Sequence, residues 1–142
     1  MDIAPEVREA IDNYKTYHRD DFIEKNFSVV NKDMKVVPLI PTLAQRYYWR
    51  TRTPRDIHLK ARQVRISTIA HADVISESMV KPGLNSLIIA QKPEDETLGP
   101  HRARARLFHA QTQSQWKPEL ITDAAHLMQF GWFDEKGNIA ST

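Results

Sequence analysis

The feature that most constrains this chain is the run Ser86-Leu87-Ile88-Ile89-Ala90, in which four apolar residues follow one another without a polar break. A strand with one wet face alternates between apolar and polar residues. A continuous run fits a strand covered on both faces, as in a parallel sheet. Its surroundings point the same way. Asp56 to Leu59 reads as a short strand. Ser67 to Ser78 has helical spacing, with Ile69, Ala72 and Ile75 or Val74 inward. Pro82-Gly83 ends that helix. Pro93-Glu94-Asp95-Glu96 reads as a helix start with acids at its positive end. Gly99-Pro100 is expected to break or kink this helix, and His101 to Gln115 to continue as a basic one. The order strand, loop, helix, strand, helix is a βαβ unit. The expected fold class is therefore α/β with a parallel sheet.

The rest of the chain is expected to flank that unit. Pro5 suits a first helical position, and Val7, Ile11, Tyr14 and Tyr17 fall on one face of a helix from Pro5 to Tyr17. A short helix is expected over Asp20 to Asn26. Phe27 to Val30 and Val36 to Leu39 read as strands joined by the turn Asn31-Lys32-Asp33-Met34. Thr42 to Arg50 reads as a helix after Pro41. Near the end, Leu127 to Phe133 and Asn138 to Ser141 read as a hairpin around Asp134-Glu135-Lys136-Gly137. Two regions result: residues 1–50, with helices, hairpin and a glutamine segment, and residues 51–142, with the βαβ core.

Composition narrows the function classes. A chain of 142 residues is one domain's worth and can bury a core. Lys plus Arg number 20 against 18 Asp plus Glu, so the balance alone does not mark a nucleic-acid binder. With no cysteine, disulfides and thiolate zinc sites are excluded. No apolar run approaches the ~18 residues needed to span a bilayer, and MDIAPEVREAIDNYK is too charged for a secretory signal. A soluble intracellular protein is expected, with no membrane partner. His101 and His109 lie eight apart, and His58, His71 and His126 are isolated, so no pair has metal spacing with a third ligand. Arg102, Arg104 and Arg106, with Lys117 nearby, spread around a helix. They read as a solvated face, or alternatively as a DNA-facing one.

The chemistry-bearing segment is Ile57-His58-Leu59-Lys60-Ala61-Arg62-Gln63-Val64-Arg65-Ile66-Ser67-Thr68. A strand enters a polar loop, and the loop enters a helix opening on Ser-Thr. Phosphate chemistry uses this arrangement. Backbone N–H groups at the helix start face the anion, a lysine neutralises its oxygens, and a hydroxyl ligates Mg²⁺. The segment lacks the Gly-Lys pair and any glycine. From the residues alone it is either a phosphate loop or a basic surface loop with a Ser N-cap. Upstream, Gln45 offers one donor and one acceptor that match the N6 and N7 edge of adenine. Thr42-x-x-Gln45 is equally a capping box. Both readings stay open.

Lys60-Ala61-Arg62-Gln63-x-x-x-Ser67-Thr68 resembles the deviant phosphate loop of tailed-phage large terminase subunits, where the pattern is Lys-Ala-Arg-Gln-x-Gly-x-Ser-Thr. The resemblance extends to the Pro41-x-x-x-Gln45 segment, to Asn26-Phe27-Ser28-Val29-Val30-Asn31-Lys32, to Leu87-Ile88-Ile89-Ala90 and to Phe133-Asp134-Glu135-Lys136-Gly137-Asn138-Ile139. It implies part of a P-loop NTPase sheet, with ATP and Mg²⁺ as cofactors. Nucleotide would be held by Gln45 and by Lys60, Ala61, Arg62, Gln63, Val64, Arg65, Ile66, Ser67 and Thr68. Lys60 and Arg62 would lie at the phosphates, and Thr68 or Ser67 at the metal.

The resemblance further implies a DNA-packaging motor in the cytoplasm of an infected or lysogenic bacterial host. Its partners would be double-stranded DNA, the portal protein, the small terminase subunit and further copies in a ring. Two departures stand out. Arg65 occupies the family's glycine position, which carries a steric cost if that backbone needs φ > 0. The acid pair that orders Mg²⁺ and activates water has only Phe130-Gly131-Trp132-Phe133-Asp134-Glu135 as a candidate, and that stretch reads as a hairpin. With no nuclease domain either, the chain reads as a fragment with unassigned catalytic residues. The alternatives are a helicase-like ATPase piece, and a non-enzymatic α/β module whose basic loop binds nucleic acid or a protein.

Overall fold

The structure is a computed structural model that describes residues 5, 19–57, 65–81, 83–89, 98–124, 127–133 and 136–141. It is a mixed α/β arrangement of four helices and two small antiparallel sheets. The helices are α1 (Arg19–Asn26), α2 (Leu43–Thr51), α3 (Ile66–Val80) and α4 (Leu98–Gln111). The strands are β1 (Ser28–Val30) and β2 (Val36–Pro38), which form one sheet, and β3 (Glu119–Ala124), β4 (Leu127–Phe133) and β5 (Ile139–Ser141), which form the other in the order β3-β4-β5.

The first hairpin follows from its turn. Asn31 Oδ1 accepts the backbone N–H groups of Asp33 and Lys35, each at 2.9 Å. Met34 takes a left-handed φ of 59°. An Asx side chain that mimics a turn in this way brings Val30 opposite Val36 and Ser28 opposite Pro38. Proline fits at Pro38 because β2 is an edge strand.

One core binds these elements. Phe22 and Ile23 of α1, then Phe27 and Leu39, meet Ile69, Ala72, Ile75, Met79 and Val80 of α3, with Ala105 and Phe108 of α4, Trp116 and Phe130 closing it. Phe27 stacks on Phe108 at a centroid distance of 4.5 Å, and Phe22 lies edge-on to both Phe27 and Trp116. The buried polar groups at this junction are satisfied. Asn26 Nδ2 donates to the Phe22 carbonyl, and Asn26 Oδ1 accepts from Gln113 N–H across 87 positions of sequence. The β3–β5 sheet is seated by Trp132, whose Nε1–H donates to the Met79 carbonyl at 3.1 Å, and by His109, whose ring stacks on Phe130.

Several expectations meet a different outcome. Every strand pair among the described residues is antiparallel, so a parallel sheet is not shown there. Residues 84–89, expected as a doubly covered strand, carry no regular structure, and Leu87 and Ile89 are exposed. Asp56 and Ile57, expected to begin a strand, are likewise irregular. Gly99-Pro100 lies inside the first turn of α4 rather than breaking it. The physical reason is that first-turn N–H groups have no helical partner, so proline loses nothing there. β3 was not expected at all.

The remainder of the expected helix beyond Pro5, the loop Lys60 to Val64, the helix start Pro93 to Glu96 and the pair Asp134-Glu135 lie outside the described residues. Among those described, no helix is long and apolar enough to cross a membrane.

Candidate functional site

The site is built where two helix starts meet. α2 opens after Thr42, whose hydroxyl accepts the Gln45 backbone N–H at 3.4 Å, while Gln45 Oε1 accepts the Thr42 backbone N–H at 2.9 Å. The capping box is therefore present. Gln45 is 2% exposed, and its remaining function points away from its own helix. Nε2 donates to the Arg65 carbonyl at 2.8 Å, 20 residues downstream. One side chain thus joins the start of α2 to the residue from which α3 springs. Half of the amide's capacity, one N–H and one acceptor position on Oε1, is left over.

Arg65 is the N-cap of α3 and adopts φ 59°, ψ 18°, the left-handed conformation that the glycine of the resembling pattern would take without strain. Its carbonyl receives two donors, Gln45 Nε2 and the Thr68 backbone N–H at 3.1 Å. The side chain itself makes no cap.

The 15-residue helix that follows has no acid in its first turn and no side-chain cap. Its leading N–H groups and dipole favour an anion. Ser67 is exposed and Thr68 half-buried, and among the described residues neither hydroxyl makes a hydrogen bond. Of the sequence-predicted residues, Gln45, Arg65, Ile66, Ser67 and Thr68 are brought to this corner. Lys60, Ala61, Arg62, Gln63 and Val64 fall outside the described residues.

Two further arrangements were not foreseen. Behind the site, Asp73 of α3 is 6% exposed and takes ion pairs from Arg19, at 3.0 Å, and from Arg52. Glu77 pairs with Arg19 and with Lys81. These contacts fasten α1 and the end of α2 to α3, and they line an open polar cavity of about 570 Å³ with Tyr48 and Asp56. Burial, and then the charge of Asp56, raise the Tyr48 hydroxyl pKa above its usual value. Spacing alone could not link positions 19, 52 and 73.

The second arrangement is a cavity of about 680 Å³ between α3, α4, residues 83–88 and β4. His71 and His101 meet on its wall edge to face at 5.2 Å. Burial, then His101 and Arg104, lower the His71 pKa to about 4, so the ring is neutral at pH 7. Among the described residues, no three metal-ligating side chains gather.

The arginine cluster divides. Arg102 and Arg106 both bond Asp123 of β3, at 2.7 Å and 2.8 Å, whereas Arg104 is half-buried. Two of the three arginines read as a solvated face thus clamp the second sheet to α4. Compared with protein-family models, with curated proteins and with solved structures, the chain finds no match in any of the three.

Proposed function

We propose that residues 58–68 bind the phosphates of ATP with Mg²⁺, and that the chain is the ATP-binding N-terminal segment of a viral DNA-packaging terminase large subunit. The observation that carries the reading is the left-handed Arg65 at the uncapped start of α3. The backbone turn that a phosphate loop obtains from glycine is present without one. A buried glutamine holds it in place through its carbonyl.

In this role Lys60 and Arg62 neutralise phosphate oxygens. The leading N–H groups of α3 hydrogen-bond them, and Thr68 or Ser67 supplies the hydroxyl for Mg²⁺. Gln45 supports the loop and presents its remaining donor and acceptor to the base. The parallel sheet of a P-loop core, the acids that activate water, and DNA, portal and small-subunit partners all belong to this reading as parts of the larger motor.

The test is titration of the chain with a fluorescent ATP analogue and Mg²⁺, with Lys60→Ala as the comparison. Saturable binding that weakens at least ~10-fold in Lys60→Ala, about 1.4 kcal/mol, is the expected result. Equal affinity in the variant, or no binding by folded protein, removes the reading. It would then favour a basic loop that binds nucleic acid or a protein without nucleotide, which a titration with duplex DNA at graded salt tests directly.

A further inference from the structure

The stretch after α3 has a property that neither the core nor the phosphate site uses. Leu87 is 82% exposed and Ile89 84% exposed, while Ile88 between them is half-buried on the wall of the second cavity. This out-in-out alternation is that of an extended strand. The stretch is anchored at its start, where the Leu84 backbone N–H donates to the Lys81 carbonyl and the Ser86 and Ser78 hydroxyls lie 2.8 Å apart. From Asn85 to Ile89, no backbone N–H or C=O group makes a hydrogen bond to another described residue. Exposed aliphatic side chains on an unpaired backbone are a template for strand addition.

We propose that residues 84–89 form an antiparallel strand pair with the same stretch of a second copy of this chain. A backbone edge carries donors and acceptors alike, so antiparallel pairing about a two-fold axis satisfies both copies with one surface.

The charges select this occupant and this direction. Residues 83–90 carry no charge, so two copies approach without repulsion. Lys81 precedes the stretch, and Glu94, Asp95 and Glu96 follow it in sequence. Antiparallel alignment brings the beginning of one stretch toward the end of the other, lysine toward acids, whereas parallel alignment would set like charges side by side. The proposal is independent of nucleotide binding, because none of these residues belongs to the phosphate site.

Sedimentation velocity of the 142-residue chain from ~1 μM to ~1 mM tests it. A concentration-dependent dimer is expected for the wild type. The double variant Leu87→Lys, Ile89→Lys should weaken dimerisation at least ~10-fold, because it sets like charges across the pair. Both side chains are exposed, so circular dichroism and the thermal midpoint should be unchanged. The chain has no cysteine, which permits a second readout. Leu87→Cys should oxidise to a covalent dimer faster than Met34→Cys, an equally exposed site in the first hairpin turn. A wild-type monomer throughout the range, a dimer indifferent to the two lysines, or equal cross-linking at 87 and 34 would each overturn the proposal.

Discussion

Arg65 sits where arginine is disfavoured, and the residues around it explain why it stays. A non-glycine residue at φ 59° carries a steric cost of about 1 kcal/mol or more. Two hydrogen bonds to its carbonyl, from Gln45 and Thr68, oppose relaxation. Arg65→Gly is therefore expected to stabilise the fold by about 0.5–1 kcal/mol in urea unfolding, the lost strain outweighing glycine's extra freedom in the unfolded chain. Gln45→Leu is expected to destabilise by about 1–3 kcal/mol, because it leaves two backbone partners unmet at a 2% exposed position. If Gln45 holds Arg65 in its turn, the double variant will depart from the sum of the two. Strict additivity would show that the amide stabilises only the α2 cap.

At the scale of elements, the junction of α1, β1 and α4 is the least replaceable part of the molecule. Phe108 is 0% exposed and lies flat on Phe27 at 4.5 Å, with Phe22 edge-on to the latter. Phe108→Ala is expected to cost about 3–5 kcal/mol. In a chain of this size that is enough to abolish cooperative thermal unfolding, which calorimetry would read. A variant that kept a sharp transition near the wild-type midpoint would place the core elsewhere.

The same elements show what was legible in the sequence. α2, α3 and both outer hairpins follow from local signals: the Thr42 box, the spacing of Ile69, Ala72 and Ile75, and Asn31 in its turn. The Thr42–Gln45 box was legible as a cap. Its bond to Arg65 was not, because a contact across 20 residues leaves no local signature. β3 escaped notice because Glu119-Leu120-Ile121-Thr122-Asp123-Ala124 neither alternates cleanly nor runs apolar, and its register shifts between Leu120 and Thr122. Leu87 to Ala90 misled for the opposite reason. The pattern states what a strand can bury, but burial needs neighbours, and the described residues set none beside it.

For the molecule as a whole, acid should be more disruptive than its near-neutral formal charge suggests. His71, His101 and His109 lie at the α3–α4–β4 interface, and all three have pKa values lowered chiefly by burial. His71 is lowered from 6.5 to about 4, with His101 and Arg104 of α4 facing it. Between those two values the unfolded chain binds a proton that the folded chain refuses. Stability therefore rises with pH through this window and falls as pH is lowered from about 6.5 towards 4.

One fully linked histidine gives a slope of about 1.4 kcal/mol per pH unit there. The carboxylate contribution has the opposite arrangement. Asp123, held low by hydrogen bonds from Arg102 and Arg106, stabilises the fold above its unfolded pKa and loses that effect only in stronger acid. Urea unfolding at pH 7, 6 and 5 separates the two. Wild-type stability should drop across this series, and His71→Leu should flatten the drop. At pH 7 that substitution should be close to neutral, since His71 Nδ1 is buried without a hydrogen-bond partner. An equally steep decline in His71→Leu would assign the acid sensitivity to His101 and His109 alone.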